Sequence, residues 1–187
     1  MKIPIGVSNR HMHLTKETYQ KLFDKDELEK IKDLNQPGEF ASSDVVTIKN
    51  EIGAIEKVRV LGPFRNYDQV EISRTDSYKL KVNPPVRKSG NITGSEPITL
   101  VGPVGEVALS EGLIIANRHF HITSEMANEL GIEDDQPFTV TVSNTDKKGT
   151  FEVVAKILDK AYFEVHIDTD DANAFLLKQD DVVEIDI

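Results

Sequence analysis

Residues Ile5–Leu22, IGVSNRHMHLTKETYQKL, align without a gap against Leu113–Leu130, LIIANRHFHITSEMANEL, at a constant offset of 108. Asn, Arg, both His, Thr, Glu and the final Leu are identical, and most other pairs are similar in character. Such a match is the mark of an internal duplication, so the two copies must fold alike. Each reads as a strand running into a short helix. In the first copy Thr15 is a natural N-cap, Glu17 complements the first-turn dipole, and Tyr19, Leu22 and Phe23 recur one helical turn apart. The copies continue less clearly further on. QVEISRTDS at Gln69–Ser77 resembles EVHIDTDDA at Glu164–Ala172, which places Glu71 where the second copy has His166.

Between these landmarks lie many short alternating runs punctuated by Gly and Pro. Ile3–Leu14, Val45–Ile48, Glu56–Leu61, Gln69–Ser73, Tyr78–Val82, Gly112–Ile122, Phe138–Val142, Gly149–Ile157, Tyr162–Ile167 and Asp181–Ile187 read as strands. Thr123–Leu130 and Asp171–Leu177 read as helices, Asp24–Asp33 as a solvated helix end and Pro84–Pro97 as a loop. Many strands with few helices predict a mainly β chain built of small barrels or a sandwich, not a doubly wound sheet.

Composition narrows the chemistry. The 187 residues suffice for one mid-sized domain or two small ones. No apolar run approaches the roughly 20 residues a bilayer requires. A formal net charge of −10 argues against a nucleic-acid partner, which needs a basic face. The absence of cysteine removes disulfides, a thiolate nucleophile and cysteine metal ligands together, and fits a reducing cytoplasm.

All five histidines fall on the duplicated design: His11, His13, His119, His121 and His166. On a strand, residues i and i+2 face the same side, so each His-x-His can turn two imidazoles to one ion, with Met12 or Phe120 facing away. A third ligand from a later strand, Glu71 or His166, completes a three-ligand set with an open position, the pattern of catalytic rather than structural zinc. Asp168 and Asp170 are spare carboxylates, though DTDDAN reads mainly as helix N-cap chemistry. Arg10 and Arg118 alternate away from the histidines, which suits ion pairing or packing. Arg59, Arg65 and Arg74 lie near Glu71 in sequence and could hold phosphate, or simply be surface charge.

Taken together, NRHMHL, VRVLGPFR…QVEIS, PPVRKSGNITGS, GPVGEV, GLIIANRHFH and VHIDTDDANA resemble, in that order and over nearly the whole chain, the PduL-type phosphate acyltransferases (phosphotransacylases, the phosphate propanoyltransferase family). The resemblance implies two small β-barrels with short capping helices, one from residues 1–9 with 112–187 and the other from 10–111. It implies interconversion of a short-chain acyl-CoA, acetyl or propanoyl, plus phosphate with acyl phosphate plus CoA. Two zinc ions are implied as cofactors, one on His11, His13 and Glu71 and one on His119, His121 and His166. Other divalent metals also suit such nitrogen- and oxygen-rich sets. By motif, Arg65 would hold the attacking phosphate. Val7, Ser8, Asn9, Arg59 and Asn173 would contact CoA. A lysine common in the family is replaced by Ile52 in NEIGAI.

The expected mechanism is direct, metal-assisted attack of phosphate on the thioester, with the His11 ion nearest the chemistry and the second ion anchoring CoA. The rival readings are a metal-dependent hydrolase, a bicupin-like oxygenase, and a non-catalytic microcompartment metal-binding module. The motif begins close to Met1 with no targeting extension in view, which reads as a free cytoplasmic enzyme. Membrane and nucleic acid are not expected as partners. Homo-oligomerisation, association with a propanediol-degrading bacterial microcompartment and the role of residues 84–94 stay open.

Overall fold

A computed structural model describes residues 1–187. The elements run β1 (Lys2–Ser8), β2 (His11–His13), α1 (Lys16–Phe23), β3 (Lys30–Asp33), β4 (Phe40–Lys49), β5 (Ala54–Gly62), β6 (Gln69–Glu71), α2 (Arg74–Leu80) and β7 (Val86–Arg87). They continue as β8 (Glu96–Val101), β9 (Glu106–Ala116), β10 (His119–Thr123), α3 (Ser124–Leu130), β11 (Pro137–Val142), β12 (Gly149–Leu158), β13 (Val165–Asp168), α4 (Thr169–Phe175) and β14 (Val182–Ile185). The chain divides into two compact units, Met1–Asn9 with Asn117–Ile187, and Arg10–Ala116. The second unit therefore contains all of β9.

The first unit is a closed barrel in the order β1-β13-β10-β12-β11-β14. Its core comes from alternate residues of each strand: Ile3 and Ile5, Phe120 and Ile122, Val165 and Ile167, Val183 and Ile185. The second unit closes as β9-β6-β2-β5-β4-β8, with β3 added at β4 and β7 beside β9. Met12, Val58, Val60, Val70, Ile98, Leu100 and Leu113 fill it. Each such side chain, once buried, contributes about 1.5–3 kcal/mol of transfer free energy.

The two barrels share one plan. In the first, neighbouring strands alternate through β1/β13 parallel, β13/β10 antiparallel, β10/β12 parallel and then three antiparallel pairs. In the second, β9/β6, β6/β2, β2/β5 and the remaining pairs repeat the same senses in the same order. The duplication thus extends well beyond the segments in which sequence alone shows it. Within each sequence copy the chain changes unit: β1 pairs with β13 and β14, whereas β2 pairs with β5 and β6.

Four short helices cap the barrels, each opened by a polar side chain that accepts a backbone N–H: Thr15 from Thr18, Ser73 from Asp76, Thr123 from Met126 and Asp168 from Asp171. Such caps are worth about 1 kcal/mol each and decide where a helix this short begins. Each helix ends on a left-handed residue, Gly131 in the case of α3.

Several local expectations are revised. Tyr78–Val82 alternates like a strand, but Tyr78 and Leu80 complete α2, because the Ser73 cap starts a helix whose buried residues include Asp76, Ser77 and Leu80. Asp24–Asp33 is not a helix end. Asp24 takes φ 52 and stops α1, and Lys30–Asp33 forms the exposed strand β3. Ile3–Leu14 and Gly112–Ile122 each break in two around the Asn-Arg pair. The loop at Pro84–Pro97 contains the two-residue strand β7.

Candidate metal centres

In the second unit, β2 lies between β5 and β6, and His11 pairs in register with Glu71 across the antiparallel ladder. His11 and His13 are buried. Because Met12 between them points into the core, both imidazoles occupy the face turned away from it. His11 Nε2 stands 3.4 Å from Glu71 Oε2, and the two rings lie 5.2 Å apart at 88°.

The first unit repeats this with different chemistry. His119 pairs with His166 across β10/β13, while Phe120 enters the core. His119 Nε2 and His121 Nε2 are 3.2 Å apart. Ring centroids are 4.9 Å apart for His119–His121, 4.5 Å for His121–His166 and 5.3 Å for His119–His166.

In each cluster the three potential donor atoms all lie within 4.8 Å of one another. Tetrahedral zinc with bonds near 2.0–2.1 Å sets its donors about 3.3 Å apart. The 3.2 Å and 3.4 Å separations match that edge. Two further observations fit an ion on the histidine triad. His119 Nδ1 lies 2.9 Å from the carbonyl of Asn117, which fixes the tautomer with Nε2 bare. His121 Nδ1 is buried and meets no hydrogen-bond partner. Burial, then the charges that His166 and His119 would carry, hold His121 far below the ordinary imidazole range, so at neutral pH it is an uncharged lone-pair donor.

The arginines separate by role. Arg10 bonds Asp76 at 3.1 Å and Arg118 makes a two-pronged contact with Asp171, so both tie the His-x-His segment to the helix that follows the third ligand. The ion-pair reading of these residues holds. Arg59 lies beside His11 in register and donates to the Ser42 carbonyl. Arg65 pairs with Glu39, and its Nε is buried without a partner. Arg74 is drawn away to Asn83. Asp168 is the cap of α4, in keeping with its N-cap reading.

Val7 and Ser8 lie on β1 opposite Ile167 and Asp168, and Asn173 is exposed on α4, in the same unit. Ile52 is exposed in a turn closed by Asn50, whose side chain accepts the N–H groups of Ile52 and Gly53.

Sequence reasoning passed over three residues. Glu39 holds Arg65, and nothing in its loop signals this. Gln69 and Glu164 each bond the third ligand of their own cluster. Their signal was the QVEIS/EVHID pairing, which aligns them with each other.

A family model described as phosphate propanoyltransferase matches residues 4–178. The chain belongs to the phosphate propanoyltransferase family. This is a family of acyltransferases. The phosphate propanoyltransferase of Thermotoga maritima is 44% identical over 185 residues, covering 98% of this chain and 88% of that protein. That of Priestia megaterium is 48% identical, covering 96% of this chain and 83% of its own. That of Lachnoclostridium phytofermentans is 47% identical, with 92% and 81% covered. This family member therefore carries its two histidine clusters within a chain that spans most of its relatives' length. No helix in it is long and apolar enough to cross a membrane.

Proposed function

We propose that the chain moves a short acyl group between CoA and inorganic phosphate, with a divalent ion, zinc by preference, at each cluster. The observation that carries this reading is the repeated three-donor cluster on matching strands of two barrels, in a chain of an acyltransferase family. His11, His13 and Glu71 would hold the ion, which would supply Lewis-acid polarisation of the thioester carbonyl and a soft partner for the departing sulfur.

The chain's own residues do the rest. Arg65 holds phosphate through its fork of N–H donors, which suits bidentate recognition of an oxyanion. Its present partner Glu39 takes one N–H of that fork, through Nη2, and Nε is left without a partner. A phosphate oxygen attacks the carbonyl carbon, the C–O bond forms, the C–S bond breaks, and CoA leaves as thiolate and takes a proton from water. A cysteinyl acyl-enzyme plays no part, since the chain has no cysteine. Val7, Ser8, Asn9, Arg59 and Asn173 are the proposed CoA contacts, and the His119 cluster serves CoA rather than phosphate. Acetyl and propanoyl groups differ by one methylene, about 1–3 kcal/mol in a pocket, so the acyl preference is expected to be graded rather than absolute.

The test is interconversion of acyl-CoA and acyl phosphate on metal-quantified protein, across acyl lengths. Arg65→Ala is expected to lower turnover by roughly 100-fold to 1,000-fold, the size typical of losing one oxyanion donor. Wild-type turnover in that variant would remove Arg65 from the mechanism, and acyl-CoA cleavage independent of phosphate would point to a hydrolase.

A further inference from the structure

Two residues before each third ligand stands a buried polar side chain that bonds that ligand. In the first unit Glu164, 2% exposed, accepts from His166, its Oε1 2.6 Å from His166 Nε2. In the second unit Gln69, 0% exposed, donates through Nε2 to Glu71 Oε1 at 2.7 Å. The two positions are equivalent in the duplication: His121 bonds to the Glu164 carbonyl through its backbone N–H, and Gln69 pairs with His13 on the matching ladder.

The chemistry at the two positions is complementary. A neutral imidazole that donates one N–H needs an acceptor, and it faces a carboxylate. A carboxylate ligand needs a donor, and it faces an amide. Each cluster with its support therefore carries one carboxylate, as the ligand in one barrel and as the support in the other.

The fold makes room for the exchange. Gly6 lies opposite His166 on β1. A Cβ at Gly6 would come within 2.7 Å of the Glu164 carboxyl carbon and 3.0 Å of the His166 ring. The equivalent strand of the second unit places the buried Ile114 opposite Glu71. Glycine is present where the buried carboxylate and imidazole need the space.

We propose that Glu164 is a positioning residue for the histidine triad: it holds His166 as the tautomer with its proton on Nε2, leaving Nδ1 as the lone-pair nitrogen. Residues that orient a ligating imidazole in this way typically govern metal affinity by 10-fold to 100-fold. The inference rests on the metal reading given above, and its test separates the two.

Full-length wild-type, Glu164→Ala and Glu164→Gln proteins are stripped of metal, titrated with zinc against a chromophoric chelator, and checked for fold by circular dichroism. The wild type is expected to take two zinc ions. Glu164→Ala is expected to keep one tight site and weaken the other by 10-fold to 100-fold. Glu164→Gln, whose amide oxygen still accepts, is expected to fall between them. Histidine 15N spectra of the loaded wild type are expected to show the His166 proton on Nε2, a readout that stands even if the alanine variant fails to fold. Unchanged affinity at both sites in a folded Glu164→Ala, or a His166 proton on Nδ1, would overturn the assignment of Glu164. A wild type that takes up no zinc would instead overturn the metal reading itself.

Discussion

The two barrels share a plan of strand order and pairing sense but not the third donor, which is Glu71 in one and His166 in the other. That plan agrees around both rings, although β4/β5 and β8/β9 carry register shifts that the matching ladders of the first unit lack. His11 faces Glu71 and His119 faces His166 at the same place in the ladder. On the metal reading proposed above, the scaffold would set where an ion sits, while one side chain would set what that ion can do. A donor set of two imidazoles and a carboxylate leaves a less positive centre than three imidazoles. Their different surroundings point to a division of labour, with Arg59 in register beside the mixed set and Asn173 in the unit that carries the histidine triad.

The largest expected effect erases the comparison altogether. Stripping both ions should reduce acyl transfer to background, and zinc alone should restore it. Recovery of full activity in metal-free protein would break the division of labour at its root. A smaller effect comes from making the two centres alike. Glu71→His places an imidazole beside Gln69 and should weaken zinc binding at that centre by about 10-fold to 100-fold. Adding Gln69→Glu recreates the first unit's pairing and should recover much of the affinity. If the double variant binds no better than the single one, the complementary pairing is not what holds the ligand. The smallest effect concerns the shared frame. Arg10→Ala and Arg118→Ala each remove an ion pair whose arginine is partly exposed, but Asp76 is buried and Asp171 less so. Arg118→Ala should cost about 1 kcal/mol or less by denaturant unfolding. Arg10→Ala, which leaves a buried carboxylate without its cation, should cost more, about 1–3 kcal/mol. A larger loss for Arg118→Ala than for Arg10→Ala would show that burial of the acid does not set the strength of this strand-to-helix tie.

The fold class and both donor triads were legible because duplication turns two weak signals into one strong one. A lone His-x-His says little, but NRHMH and NRHFH at a constant offset fix the strand, its facing and its following helix together. The Thr15 cap could be read from a single residue with one dominant role. Tyr78–Val82 was misread because an alternating pattern in a segment so short fits both a strand and a helical turn. The Ser73 hydroxyl, not the apolar pattern, decides it. The break of Ile3–Leu14 was hidden because both halves are β and only the pairing partners change. Glu39 was illegible for a different reason: its contact with Arg65 sits at the end of the β4/β5 ladder, where Phe40 pairs with Gly62, and neither segment alone records that register.

The central claim is that each barrel holds its own ion and that the two ions are not interchangeable. Zinc per chain, measured by elemental analysis on wild type, His13→Ala and His121→Ala, tests it most directly. The account predicts two ions in the wild type and one in each variant, with acyl transfer abolished in His13→Ala and CoA affinity the main loss in His121→Ala. A single ion in the wild type, or either variant losing both ions together, would contradict it.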